Sequence, residues 1–449
     1  MALRLKDIGT RLLSMKEVPE MNKQMCDVLE KTLTSFNAPA IAAGIIRLKK
    51  PEEGEDCNIE FAHAAVGKRK MGSDVDVTVQ DNFHLGSCGK AFTSLLLQDV
   101  INDDDSTLSW DTTLGNVIED IKPCWHHITL ADLMCHKAGI SDDIILNGVR
   151  SGYPGRAFDL CSLAMKGILK GNHELVKQVW GPYLSEEKDL ANLNIGERVL
   201  LTRHARLIGF LKNSETTEKF KGKFRYSNVG VSLAGLLAEL ETNKTYELLV
   251  KESLADNLGM NTLGFGSPQS ISDIDNVTQP WGHINDSLFS VNNVPVHPSE
   301  DLVPEIIQGS GNMHCTMEDW MKSLAAHLFL ARKVAPNNPY KSLVEVTSGA
   351  GYGGGWIISD PAAVPKSFFS KQEPPPPKLS EGLLLSKEPE HSMVLSHDGS
   401  NTRWFARCAI HVGRGVGVGF VTNTSHVRVL FLGNQLMKEL LTIGYGHDS

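Results

Sequence analysis

The chain lacks any uninterrupted apolar stretch of the ~18 residues that a membrane-spanning helix needs, so no transmembrane span is expected. It lacks a basic surplus as well: 44 lysines and arginines face 53 acidic residues, for a net charge of −9. Nucleic acid and anionic membrane are therefore poor candidate partners. Its eight cysteines, Cys26, Cys57, Cys88, Cys124, Cys135, Cys161, Cys315 and Cys408, form no C-x-x-C pair and keep no regular interval. That pattern argues against a zinc site or a disulfide framework and suits small buried thiols in a reducing, cytoplasmic compartment, with no metal and no cofactor expected. Four N-x-[ST] triplets, at Asn243, Asn276, Asn285 and Asn423, leave secretion open. Between Met1 and Lys23, the cations Arg4, Lys6 and Arg11 alternate with Asp7, Glu17 and Glu20, and no apolar core follows. A short amphipathic helix is the expectation there, rather than a targeting peptide.

What is present is the balance of an ordinary globular enzyme: 449 residues, 41% hydrophobic and 22% charged. That length exceeds one simple core and predicts two packed subdomains. Apolar runs at 39–47 and Ile59–Val66 read as paired strands. From Ser87 the apolar residues Ala91, Phe92, Leu95, Leu96, Val100 and Ile101 recur at helical spacing, so a helix is expected to begin almost at Ser87. Helical patterns follow over Val229–Leu240, Glu247–Leu254 and Met317–Leu330, then strands over Gly355–Ile358, Met393–Ser396, Arg403–His411 and Val416–Thr422, and a closing helix over Leu430–Leu441. The fold class is thus α/β (α+β), an antiparallel sheet built from both termini and flanked by helices, with a mostly helical insertion. Within one catalytic domain spanning 1–449, residues 1–100 with 345–449 make the α/β part and 101–344 the helical part. Residues 361–390, with Pro374–Pro377, read as an exposed Pro-rich loop.

Three clusters carry chemistry. In Ser87-Cys88-Gly89-Lys90 the lysine lies one helical turn from the serine, on the same face. A serine hydroxyl needs a base during attack, and a lysine enclosed beside other cations can serve as one. A helix start also offers unpaired N–H groups to a developing oxyanion. The plain alternative is Ser87 as a helix cap and Lys90 as a solvated first-turn residue, although the helix dipole disfavours lysine there. In Tyr226-Ser227-Asn228 the phenol can shuttle a proton and the amide can hold a lysine or a carbonyl, while a tyrosine with its ring in the core is equally ordinary. In His397-Asp398-Gly399-Ser400, following a strand, Gly399 permits close backbone approach, the Ser400 N–H can complete an oxyanion hole, and His397 can supply a proton or a hydrogen bond. Gly349–Gly354 has the form G-x-G-x-x-G, but a strand-like segment follows where a dinucleotide site needs a helix, and position 85 is leucine, so no G-x-S-x-G elbow surrounds Ser87.

The three clusters, in this order, resemble the serine beta-lactamase and penicillin-binding-protein family, in the branch holding class C beta-lactamases, D-amino-acid peptidases, esterases and acyltransferases. Thr129–Ile140, Gln279–His283, Gly311–Met317 and Gly351–Trp356 look familial too, so the similarity runs from about residue 38 to 440. The resemblance implies that Ser87 is the acylated nucleophile, Lys90 and Tyr226 the proton-transfer pair, Asn228 a positioning group, and the N–H groups of Ser87 and Ser400 the oxyanion hole. Beta-lactamases of this branch carry Lys-Thr-Gly where this chain has His397-Asp398-Gly399; a weaker cation and an added anion there imply poor recognition of substrate carboxylates. The interval from Ser87 to Tyr226 is long for the family, and an added helical segment is expected over 146–200. Three functions are open on sequence: a hydrolase of a small-molecule ester or amide, an acyltransferase using the same acyl-enzyme, and a noncatalytic scaffold. Retention of Ser87, Lys90, Tyr226 and Asn228 together weighs against the last.

Overall fold

The structure, a computed structural model, describes residues 4–49, 59–140, 203–204, 207–212, 214–215, 222–285, 292–299, 305–332, 351–359 and 393–446. The expected segment at 146–200 and the Pro-rich loop at 361–390 lie outside the described residues. The chain divides into two compact units, Met1–Asn102 with Val250–Pro304 and Ser310–Ser449, and Asp103–Leu249 with Glu305–Gly309.

In chain order the strands, all in the first unit, are β1 Lys16–Glu17, β2 Ala40–Leu48, β3 Ile59–Gly67, β4 Phe83–His84, β5 Gly264–Phe265, β6 His283–Asn285, β7 Asn293–Pro295, β8 Met313–Cys315, β9 Tyr352–Gly353, β10 Trp356–Ser359, β11 Val394–Ser400, β12 Phe405–His411 and β13 Val416–Thr422. Eight of them form one sheet in the order β1-β3-β2-β13-β12-β11-β10-β9. The β2–β13 pair, with Gly44 opposite Gly419, joins the two ends of the chain as expected. Every pairing is antiparallel except β1 with β3, which is parallel and lay outside the sequence reading.

The central strands are buried on both faces, so they read as apolar runs rather than alternations. On one face Val416, Val418 and Phe420 of β13 join Met25, Phe36, Leu436 and Met437 in a single core, closed by the helices Pro19–Phe36 and Val427–Tyr445. On the other face a Cβ at Gly44 would lie 2.7 Å from the Met321 side chain, and one at Gly419 would lie 3.1 Å from the Trp320 ring. These glycines let the helix Met317–Arg332 lie close against the sheet. That helix, and residues 250–304, therefore group with the sheet and not with the helical part that the sequence placed over 101–344.

Local chemistry explains the shifted boundaries. The N-terminal segment forms two helices, Leu5–Leu12 and Pro19–Phe36, the second opening on proline and closing at Asn37 with φ 52°. Around Ser87 a tight 3₁₀ turn, Gly86–Gly89, precedes the α-helix Lys90–Ile101, so Ser87 lies within a turn and does not cap the helix. Beyond Tyr246–Val250 the chain widens into a π-helical turn over Lys251–Asp256. In the second unit the helix Asn228–Thr242 is capped by Ser227, whose Oγ accepts from the Gly230 N–H at 3.0 Å, and closes at Asn243 with φ 53°. Its buried Glu239 pairs with Arg203, which also reaches Glu247 at 2.5 Å.

Candidate active site

The small sheet β4-β8-β5 delivers the chain to Ser87: Phe83 pairs with Cys315, and the Leu85 N–H donates to the Met313 carbonyl at 2.9 Å. Buried His84 then accepts the Gly86 N–H through Nδ1 at 3.1 Å, which fixes the turn one residue before Ser87. Lys90 is fully buried, against the solvated alternative. Its Nζ lies 3.0 Å from Ser87 Oγ and 2.6 Å from the Ser310 carbonyl oxygen. An amine held between a neutral carbonyl and a serine hydroxyl is well placed to take the serine proton.

A hydrogen-bond relay supports this helix start from behind. The Trp356 Nε1–H donates to His327 Nδ1 at 3.3 Å, and His327 Nε2–H donates to the Ala91 carbonyl at 3.1 Å. Trp356 follows a two-residue hairpin turn at Gly354 and Gly355, with φ of 59° and 83°. A Cβ on Gly355 would lie 2.6 Å from Ala91 N, so the glycine-rich stretch makes a tight turn pressed on the start of the helix Lys90–Ile101. Gly349 and Ala350 lie outside the described residues.

Strand β11 forms a second wall, and its two-residue period sorts the third cluster by face. A Cβ on Gly399 would come 2.9 Å from Ser87 N, and one on Gly86 would come 2.4 Å from Ser400 N. Two glycines thus bring the backbone N–H groups of Ser87 and Ser400 into one neighbourhood. His397, two residues from Gly399, shares its face. The His397 Nδ1–H donates to the Asp398 carbonyl at 2.5 Å, so Nε2 bears the lone pair that accepts the Tyr352 O–H at 3.0 Å. Burial, then the nearby Lys90 charge, lower the His397 pKa to about 4, so the ring is neutral at pH 7.

Asp398 points the other way. The Arg407 guanidinium donates to both of its carboxylate oxygens, each at 2.7 Å, and also to Asn434 Oδ1 on the C-terminal helix at 2.9 Å. The sequence reading put an extra anion beside the substrate; strand alternation and this bidentate pair hold it on the opposite face. His397 likewise stands as a neutral ring and not as a weaker cation.

The remaining predicted residues, Tyr226 and Asn228, belong to the second unit, whereas Ser87, Lys90, His397, Gly399 and Ser400 belong to the first. Tyr226 directly precedes the helix cap, and Asn228 is the first helical residue. Beside them stands His136, a residue of the stretch Thr129–Ile140 whose role the sequence alone does not indicate. Tyr352 was missed in the same way. Aromatic and histidine signals of this kind emerge only when distant segments meet. Among the described residues no group of three or more His, Cys, Asp or Glu side chains gathers as a metal site would require, and no helix is long and apolar enough to cross a membrane.

The fold and the serine–lysine turn define a class. Residues 58–441 match the family model described as Beta-lactamase, and the chain belongs to that family. Its fold is that of beta-lactamases and transpeptidases. A beta-lactamase/D-alanine carboxypeptidase from Pseudomonas syringae is similar at 14% identity over 96% of this chain and 99% of that one, with a TM-score of 0.58. The D-amino acid amidase from Ochrobactrum anthropi is similar at 14% identity over 96% and 100%, with a TM-score of 0.59. An octameric penicillin-binding protein homologue from Pyrococcus abyssi is similar at 18% identity over 92% and 77%, with a TM-score of 0.55. No curated protein is significantly similar in sequence.

Proposed function

We propose that the chain is a serine hydrolase that cleaves esters or amides through an acyl-enzyme on Ser87, esterase-like rather than a true beta-lactamase. The observation that carries this reading is the 3.0 Å approach of buried Lys90 Nζ to Ser87 Oγ. As Ser87 Oγ bonds to the substrate carbonyl carbon, its proton passes to Lys90 in the neutral form, and the carbonyl oxygen takes the negative charge between the N–H groups of Ser87 and Ser400. The proton moves on through the Tyr226 phenol to the leaving alcohol or amine, with Asn228 as a positioning group. Water then attacks the acyl-enzyme, and the proton path runs in reverse.

The neutral Tyr352–His397 pair, with Asp398 held by Arg407, supports acyl groups without a carboxylate. A beta-lactam or a free D-alanine end would bring an anion to a wall without a fixed cation on His397. The test sets an activated neutral ester beside a chromogenic cephalosporin, each with and without added alcohols. Ester cleavage with little cephalosporin turnover is the expected outcome; comparable turnover of both overturns the substrate assignment. Ester products made with the added alcohol in preference to free acid would assign the chain to acyl transfer.

A further inference from the structure

Within the second unit, three contacts from one residue bracket Tyr226. The His136 backbone carbonyl accepts the Arg225 N–H at 2.7 Å, on one side of the tyrosine. On the other side, His136 Nδ1 accepts the Ser227 N–H at 3.2 Å. Between them the imidazole lies against the phenol ring, with centroids 4.4 Å apart and planes inclined by 44°. Phe224 adds an edge contact to the same imidazole at 5.8 Å.

The bracket extends through backbone alone, since the Gly222 N–H donates to the Lys137 carbonyl at 3.1 Å. His136 itself is 1% exposed and sits at φ 56°, a left-handed conformation uncommon for a non-glycine residue. It follows the short helix Leu130–Met134, whose start is fixed by a reciprocal cap between Thr129 and Asp132. A nitrogen that accepts an N–H bears no proton, so the ring carries its hydrogen on Nε2 and is uncharged.

We propose that His136 is a positioning residue that holds the Tyr226 phenol in its proton-transfer orientation by gripping the backbone on both sides of it and covering one ring face. The proposal rests on the reading of Tyr226 as the proton-transfer group. A side chain gripped at its own backbone and at its ring loses the rotational freedom that proton transfer must otherwise overcome at every turnover. The acceptor and the ring are separable by substitution. Asparagine places Oδ1 where Nδ1 stands and tolerates the left-handed conformation, so His136→Asn keeps the Ser227 bond and removes the ring; His136→Ala removes both.

The experiment is a double-mutant cycle on Ser87 labelling by a fluorophosphonate and on kcat and KM for a neutral activated ester. In the parent, His136→Ala is expected to lower kcat by ~10- to 100-fold with KM changed less than threefold, and His136→Asn to recover part of that loss. In a Tyr226→Phe background the same substitutions are expected to cost less than twofold, because the group they position is gone. As a readout independent of activity, ¹³C-tyrosine spectra of His136→Asn are expected to show a shifted titration for the resonance absent from Tyr226→Phe. Equal losses in both backgrounds, or an unmoved Tyr226 resonance in both variants, overturn the proposal. Wild-type protein that fails to label at Ser87 would instead overturn the acyl-enzyme reading and this inference with it, so the two failures are told apart.

Discussion

Lys90 and Asp398 show how far a single charged residue can be read from its neighbours in sequence. The three-residue spacing of Ser87 and Lys90 was sufficient to predict their encounter, because a helical turn brings such a pair together. The burial of Lys90 was not legible, since the Ser310 carbonyl that holds it comes from a distant segment. Asp398 was misread for a related reason. Its partner Arg407 sits on the next strand, and only the register of β11 with β12, where Asp398 faces Arg407, reveals the pair. Replacing Lys90 with methionine is expected to slow Ser87 acylation by ~10²- to 10⁴-fold while leaving the melting temperature unchanged or raised, because an apolar side chain of similar length replaces a buried amine. Asp398→Asn is expected to cost about 2 kcal/mol in urea unfolding and to change ester kcat/KM less than threefold. A large loss of kcat/KM at unchanged stability would return Asp398 to the substrate side.

At the level of elements, the strands and helices were largely visible as apolar patterns, and their layering was visible only in part. Glycine is the element that sequence periodicity undervalues: Gly44 and Gly419 look like weak points in strong strands, yet they make room for Met321 and Trp320. That contact assigns Met317–Arg332 to the sheet, a placement no local pattern announces. Gly44→Leu is expected to force this helix off the sheet and to destabilise the protein by ~1–3 kcal/mol, measured by urea unfolding. A neutral result would mean that the helix does not rest on β2. The same logic applies to the Gly354–Gly355 turn. Its residues imitate a dinucleotide motif, whereas their positive φ angles and their contact with Ala91 show a hairpin packed on the start of the helix Lys90–Ile101.

At the scale of the whole molecule, among the described residues, His84, His283, His327 and His397 are buried, and each accepts a hydrogen bond on one ring nitrogen, from Gly86, Met71, Trp356 and Tyr352 respectively. Burial lowers their pKa values to about 3, 4, 3 and 4 respectively. Each therefore binds its proton more readily in the unfolded chain, near pH ~6.5, than in the folded one. Their contribution to stability is complete above that pH and is lost progressively as pH falls toward 4 and then 3. Thermal melts are expected to be flat from pH 8 to 7 and to fall steeply below about 6; a transition that holds constant down to pH 4 would show that these rings are protonated without cost. The central claim, that Ser87 activated by Lys90 forms a covalent acyl-enzyme, is tested most directly by intact-mass spectrometry after treatment with a fluorophosphonate. The account predicts a single adduct on Ser87, its formation slowed by orders of magnitude in Lys90→Met and abolished in Ser87→Ala. Wild-type protein left unmodified, or an adduct that persists in Ser87→Ala, would contradict it.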